Sequence, residues 1–320
     1  MKNLMKNWPL FIALGLVLSF SSCKKSDTTP ADNSVSAADD ATVTNAIAAN
    51  SDDAALAADG SFSRGAGGAN AWGLSPCGGT VTVDSSTKTI TIVYDGSTVC
   101  GGVYRTGTIT VTLTGANSWK DAGATVTVAT TGLKITDPVT LGYYTISGSH
   151  SVTNESGGVL GDLIASNDTI TRRHFGSLEV TFANNTTRTW TFDRTRAWST
   201  FMSGGQKYLN VSLYTEAGDN VEATGFDRFN QQFTDKITTA VQADNYKCSG
   251  ESKWDPYSGA ISHSVNNRAT SVLFGTNSSG GSVGTQTYCP SGSGVYGYYI
   301  TYVNSNDNVT RYKFVSYWHY

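Results

Sequence analysis

Arg105-Thr106-Gly107-Thr108-Ile109-Thr110-Val111-Thr112-Leu113-Thr114-Gly115 decides the fold class. Ile109, Val111 and Leu113 alternate with threonines, the period of a strand with one face on a core and the other in water. Threonine suits the wet face, because its branched Cβ favours the pleat while its hydroxyl stays hydrated. The pattern continues outward in both directions. Val81 and Val83 show it, as do Ile90, Ile92 and Tyr94, then Val126 and Val128, then Leu178, Val180 and Phe182, then Leu209, Val211 and Leu213. Turn signals separate these runs at Asp84-Ser85-Ser86, Asp95-Gly96, Asn184-Asn185, Ala217 to Asn220 and Asn304 to Asn308. No continuous helical period runs from Trp72 to Tyr320. Residues 71–320 are therefore expected to form an all-β body, an extensive antiparallel sheet built as a sandwich or a curved half-barrel. A flat single layer would leave the Ile, Val and Leu face in water. No large helix is expected to cover it.

One hairpin carries enough pattern to predict its register. A two-residue turn at Asn184-Asn185 mixes apolar and polar residues on each face. A three-residue loop, Asn184 to Thr186, instead places Val180 opposite Trp190 and Leu178 opposite Phe192, all inward. Asn185 then takes the left-handed conformation. Arg188, Arg194 and Arg196 share parity with Trp190, Phe192 and Trp198. The reading is that Arg194 and Arg196 pack their stems and reach solvent with their heads. A cationic, aromatic-lined groove for an anionic or sugar ligand is the competing reading.

The N-terminus says where the chain resides. Lys2 and Lys6 precede an apolar run from Pro9 to Phe20, and Ser21-Ser22 lead to Cys23. A basic start, a short apolar core and a small-residue break describe a secretory signal, residues 1–22, too short to span a bilayer. Cys23 resembles the lipobox cysteine of bacterial lipoproteins, with Phe20 where the commonest lipobox has Leu. The resemblance implies that its thiol is acylated, palmitate included, and anchors the chain to a membrane. Lys24, with no Asp at that position, resembles the sorting pattern for the outer membrane. Residues 23–70 are then expected to be an acidic flexible tether. Ala41 to Ala58 suits a helix by composition but shows no apolar face. Lys24 and Lys25 face Asp27, Asp32, Asp39, Asp40, Asp52, Asp53 and Asp59 there, while residues 61–320 are neutral, with 18 basic and 18 acidic side chains. A neutral body lacks the clustered basic face that nucleic acid requires.

With Cys23 assigned to the anchor, Cys77, Cys100, Cys248 and Cys289 remain. An even number in an exported chain implies two disulfides with three possible connectivities. Each neighbouring pair flanks one predicted hairpin, so Cys77–Cys100 and Cys248–Cys289 are expected. No C-x-x-C or Cys/His cluster suggests a metal, and no cofactor fingerprint is present.

Three stretches also carry a family resemblance: Cys77 to Tyr94 (C-G-G-T-V-T-V-D-S-S-T-K-T-I-T-I-V-Y), Arg105 to Gly115, and Arg188 to Trp198 (R-T-W-T-F-D-R-T-R-A-W). With the late Cys248…Cys289 pair they resemble an uncharacterised group of Bacteroidota outer-membrane lipoproteins, from roughly Pro76 to the C-terminus. The resemblance implies an envelope location and an all-β body. It brings no activity, catalytic residue or cofactor.

The remaining motifs are weak. Gly280-Gly281-Ser282-Val283-Gly284 fits G-x-S-x-G but lies in a Ser/Gly-rich loop, without the strand and helix a nucleophile elbow needs. His150, His174, His263 and His319 stand at no metal-ligand spacing and read as strand or surface histidines. Asn304, Asn306 and Asn308 alternate like calcium ligands, but the required Gly and Glu are replaced by Val309 and Val315, so a hairpin turn is expected. Trp72, Trp119 and Trp254 lie near loops, as possible contacts for a glycan ligand. Tyr312, Phe314, Trp318 and Tyr320 resemble the last strand of an outer-membrane barrel. The sequence thus points to a lipid-anchored envelope protein with a binding or structural role, carbohydrate being the plausible ligand. A glycan hydrolase using unidentified carboxylates and an integral β-barrel are the alternatives.

Overall fold

The computed structural model describes residues 33–62, 76–100, 102–116, 118–244, 256–282, 297–304 and 307–316. The strands are β1 Gly79–Asp84, β2 Thr89–Cys100, β3 Val103–Thr114, β4 Ala124–Thr136, β5 Tyr143–Asn154, β6 Ile170–Phe182, β7 Thr187–Ser203, β8 Gln206–Tyr214, β9 Val221–Phe226, β10 Gln232–Asp244, β11 Pro256–Val265, β12 Arg268–Thr276, β13 Gly297–Val303 and β14 Thr310–Ser316. They form one antiparallel sheet in sequential order, except that β8 adjoins β10 while β9 pairs with both β7 and β10. The all-β expectation holds for the body. On β4, Val126 and Val128 are buried while Thr125 and Thr127 face outward, as the alternation requires.

The sheet bends where side chains are missing. Gly107 sits at a register shift between β3 and β4 with φ +118°, and a Cβ there would lie 2.4 Å from the Gly132 carbonyl oxygen. Kinks of this kind let a long sheet curl. Nothing apolar needs a second sheet, because a helix fills the concavity.

That helix, α1, spans Ser34–Ser61, 28 residues, about 42 Å at 1.5 Å per residue. It corrects two expectations: residues 34–61 are not a flexible tether, and a large helix does cover the sheet. α1 packs against β2, β3, β12 and β13. It also supplies residues to every core cluster: Ala54, Ala57 and Ala58 to one, Val43 and Ile47 to a second, Ala37 and Ala41 to a third, Leu56 to a fourth. Residues 50–59 are all buried, so this half is enclosed on every side. An enclosed helix is ordinarily apolar all round. Here alanine keeps the girth small, and the polar residues are neutralised by side chains of the sheet.

The β6–β7 hairpin has the expected three-residue loop with Asn185 left-handed at φ +63°. The loop is Ala183 to Asn185, however, with the Phe182 N–H donating to the Thr186 carbonyl at 2.9 Å. The pairs are Leu178 with Trp190 and Val180 with Arg188, not Val180 with Trp190 and Leu178 with Phe192. The slip is two residues, so every side chain keeps its face. Phe192 now lies opposite Gly176, where no side chain competes with its ring.

The Cys77–Cys100 disulfide is present, with a Cα–Cα distance of 5.9 Å. It joins the approach to β1 to the end of β2, and for its loop the chain-entropy argument gives about 3 kcal/mol. Cys248, Cys289 and Cys23 lie outside the described residues. Among the described residues no helix is long and apolar enough to cross a membrane.

Candidate functional site

The chemistry-bearing groups converge between α1 and the concave face. At 3.6 residues per turn, Asp39, Asp40, Asp59, Asp52 and Asp53 point at roughly 0°, 100°, 200°, 220° and 320° around the helix. Each direction meets an arginine of the body. Arg228, beyond β9, donates to Asp39 Oδ1 at 2.6 Å, Arg188 on β7 to Asp40, and Arg196 on β7 to Asp52. Arg105 on β3 donates to Asp53 Oδ2 at 2.6 Å, where the Tyr94 hydroxyl also donates at 2.7 Å. Asp59 is held most completely. Arg172 Nη2 and Trp119 Nε1 both donate to its Oδ1 at 2.6 Å, and the Leu160 N–H donates to Oδ2 at 3.1 Å.

Arg188, Arg194 and Arg196 therefore point inward with their heads buried, correcting the expectation that Arg194 and Arg196 reach solvent. Arg194 Nη1 bonds Glu222 Oε1 at 2.7 Å. Glu222 is the residue skipped where β9 shifts register against β10, between Ala223 and Val221. Such a bulge re-aims a side chain, and this one turns the carboxylate inward. Burial raises the carboxyl groups of Asp39, Asp53 and Glu222 above their ordinary range, opposed by their arginines.

Two serines of α1 meet histidines of the sheet. Ser51 Oγ is 2.9 Å from His150 Nε2, and Ser36 Oγ is 2.9 Å from His263 Nε2. His263 Nδ1 in turn lies 2.6 Å from Asp235 Oδ1. Ser–His–Asp in this order is the connectivity of a hydrolytic triad. Ser36 is only 1 % exposed, however, so no substrate reaches its hydroxyl while α1 is seated. The arrangement pins the helix. Burial lowers His263 to about 4, and burial with the nearby Arg194 charge lowers His150 to about 3.

The depressed His150 has a consequence for stability against pH. Its neutral form is required in the fold, so its contribution is complete above the ordinary histidine pKa of 6.5 and is lost as pH falls through about 3. The raised carboxyls act in the opposite sense below pH 7, so the difference between variants is the clean observable. His150→Gln, which can still bond Ser51, should flatten the acid side of the stability profile by up to about 1.4 kcal/mol per pH unit between pH 6 and 4. Urea unfolding at several pH values reads this directly. Parallel profiles for the two proteins would show that His150 does not titrate differently on unfolding.

The other sequence candidates are placed as follows. Trp119 is fully buried and spends its indole N–H on Asp59, so it is a core residue and not a ligand contact. Trp72 and Trp254 lie outside the described residues, as do His319, Trp318 and Tyr320. His150, His174 and His263 are all buried on the inner face. The Asn277 to Ser282 segment closes as a turn, the Gly280 N–H donating to the Asn277 carbonyl at 2.9 Å, with Ser282 bridged to Thr276. The Asn304 region joins β13 to β14 as a turn, the Asn308 N–H donating to the Asn304 carbonyl at 2.8 Å.

Outside, a shallow groove of about 530 Å³ lies where β7 forks between β8 and β9. Phe175, Ser177, Thr191, Asp193, Glu222 and Thr224 are among its lining residues. Phe175 is 36 % exposed, with the Arg173 guanidinium 5.2 Å from its ring centre. Arg173 Nε donates to Asp193 Oδ1 at 2.7 Å. Compared with known proteins, the chain matches no family model, no curated protein and no solved structure.

Proposed function

We propose that this chain is a lipid-anchored protein of the bacterial outer membrane with a binding or structural role, and that glycan is the ligand class it takes. The observation that carries the reading is α1 itself. A curled sheet offers its concavity as the natural cleft, and here that space is filled by the chain's own helix, whose carboxylates are engaged by arginines. Partners are left the outer surface. On β4 to β7 that surface carries Thr127, Ser149, Thr181 and Thr189, which favours water over lipid against it and weighs against a spanning barrel.

The groove beside Phe175 suits a sugar. An exposed ring supplies a flat apolar face, while Ser177, Thr191 and the planar Arg173–Asp193 pair supply hydroxyl and charged hydrogen-bonding groups around it. The hydrolase reading would use the same groove through the exposed Asp193, since the Glu222 carboxylate beside it is buried and turned inward to Arg194. Each carboxylate is already held by an arginine, Glu222 from within the sheet, so neither is free for acid or base work.

The test has two arms. Cys23→Ala should release the chain from membranes or leave it unprocessed, and unchanged acylation and retention would end the lipoprotein reading. Phe175→Ala should abolish binding on a glycan array. Polysaccharide turnover that is lost in Asp193→Asn would make the protein an enzyme instead.

A further inference from the structure

Asp40 on α1, Asp235 on β10 and His263 on β11 come from three separate elements, yet one ligand atom of each lies within 4.8 Å of the others. Asp235 and His263 are directly opposite in the β10–β11 register, so their side chains leave the sheet side by side. Asp40 reaches them from the helix. All three are buried.

The charges do not close. Arg188 is the cation that meets this cluster, and it is engaged with Asp40. Asp235 Oδ1 faces His263 Nδ1 at 2.6 Å. Asp235 Oδ2 is fully buried and lies 4.0 Å from Arg188, and the Asp40 and Asp235 carboxyls face one another at hydrogen-bonding range, a contact that two bare carboxylates cannot make. Two carboxylates thus share one guanidinium in a dry site, where an uncompensated buried charge is costly, so either a proton or a cation must lie between them. Something positive is called for beside Asp235 Oδ2.

The donor set says what. Two carboxylates and an imidazole are a mixed oxygen and nitrogen set, suited to a zinc-type transition ion. Calcium takes six to eight oxygens, more than this cluster offers. The outer contacts also fit. A metal-binding histidine ordinarily fixes its ring by donating from its other nitrogen, and here the Nε2 that faces away from Asp235 lies 2.9 Å from Ser36 Oγ.

We propose that Asp40, Asp235 and His263 form a buried zinc-type cation site that fastens the N-terminal half of α1 to β10 and β11. On binding, the ring proton of His263 moves from Nδ1, where it faces Asp235, to Nε2, where Ser36 Oγ accepts it; the freed Nδ1 lone pair, Asp235 Oδ2 and Asp40 then hold the ion. Ser36 holds the ring. Local sequence spacing could not reveal the site, because its members stand nearly 200 residues and more apart except for the Asp235/His263 pair.

The test uses the full chain, stripped with a chelator and titrated with Zn²⁺ alone. One equivalent should remain after desalting and the melting temperature should rise. Asp235→Asn and His263→Gln should each lose that equivalent, while Ser36→Ala should weaken binding by about 10- to 100-fold. Co²⁺ bound to the wild type gives a readout that needs no variant to fold: visible bands of an oxygen and nitrogen site without thiolate charge transfer. Less than a tenth of an equivalent retained by the wild type, an equivalent retained by both variants, or a thiolate band with Co²⁺ would each overturn the site.

Discussion

Asp59→Ala should destabilise the protein by about 3–5 kcal/mol, and Arg172→Ala by a similar amount. Both side chains are essentially inaccessible to water, 0 % and 1 % exposed. Removing either strands its partner as an unpaired charge in a low-dielectric interior. Loss of Asp59 also leaves the Trp119 indole N–H and the Leu160 amide without their acceptor, and each unmade buried hydrogen bond adds about 1–3 kcal/mol at most. Replacing both partners by apolar side chains of like volume, Asp59→Leu with Arg172→Met, should recover most of the loss, because the large term is the orphaned charge and not the pair. The exposed Arg173–Asp193 pair, at 47 % and 51 %, is the internal control and should cost no more than about 1 kcal/mol. Urea midpoints read all four proteins. Single Asp59 or Arg172 variants within about 1 kcal/mol of wild type would mean that the core is wet and the pair screened.

The strands were legible because alternation is a local property. Ile109, Val111 and Leu113 carry their own evidence, and the structure buries them as the period demands. The faces of β6 and β7 were legible for the same reason, while their register was not. Val180 opposite Trp190 and Val180 opposite Arg188 both leave the apolar face intact, so the pattern alone does not choose between them. The choice rests on Gly176 making room for Phe192 and on Asp40 receiving Arg188, neither of which is local.

The helix was illegible for a related reason. An amphipathic stripe records a helix with one wet side, and α1 has none over residues 50–59. Its aspartates radiate in all directions, so they read as the solvated charges of a tether. The signal that could have found it lay elsewhere. Arg188, Arg194 and Arg196 share the inward parity of Trp190 and Phe192, and an inward arginine demands a carboxylate. The acidic excess sits between Asp39 and Asp59, in the one alanine-rich stretch that suits a helix. Pairing those two anomalies would have placed the segment inside the sheet. The Asp40, Asp235 and His263 cluster stays hidden even then, since it depends on which turn of the helix meets which strand.

Removing residues 24–62 should abolish cooperative unfolding of the body altogether. The deletion opens all four core clusters at once and leaves Arg105, Arg172, Arg188 and Arg196 without the carboxylates that meet them. Water can then reach those guanidiniums, so the main loss is the apolar inner face that the helix no longer covers, at about 25 cal/mol per Å², set against only the 5–15 kcal/mol that typically separates folded from unfolded domains. Calorimetry of the truncated chain should show no sharp transition. A peptide of residues 33–62 supplied in trans should restore one, with a midpoint that rises with peptide concentration, because the peptide binds the folded sheet and not the unfolded chain. Restoration should need a large excess. Asn33 makes no side-chain cap, and the helix has no acidic residue in its first turn and no basic residue in its last, so the free peptide must also be ordered on binding. A peptide with Asp40, Asp52, Asp53 and Asp59 changed to Asn keeps its length and alanine content, and it should fail. Should the truncated chain melt cooperatively at the wild-type temperature, α1 would be a passenger in the concavity and the ion pairs would be incidental to the fold. A truncated chain that folds only with the acidic peptide makes the helix the core on which the sheet closes.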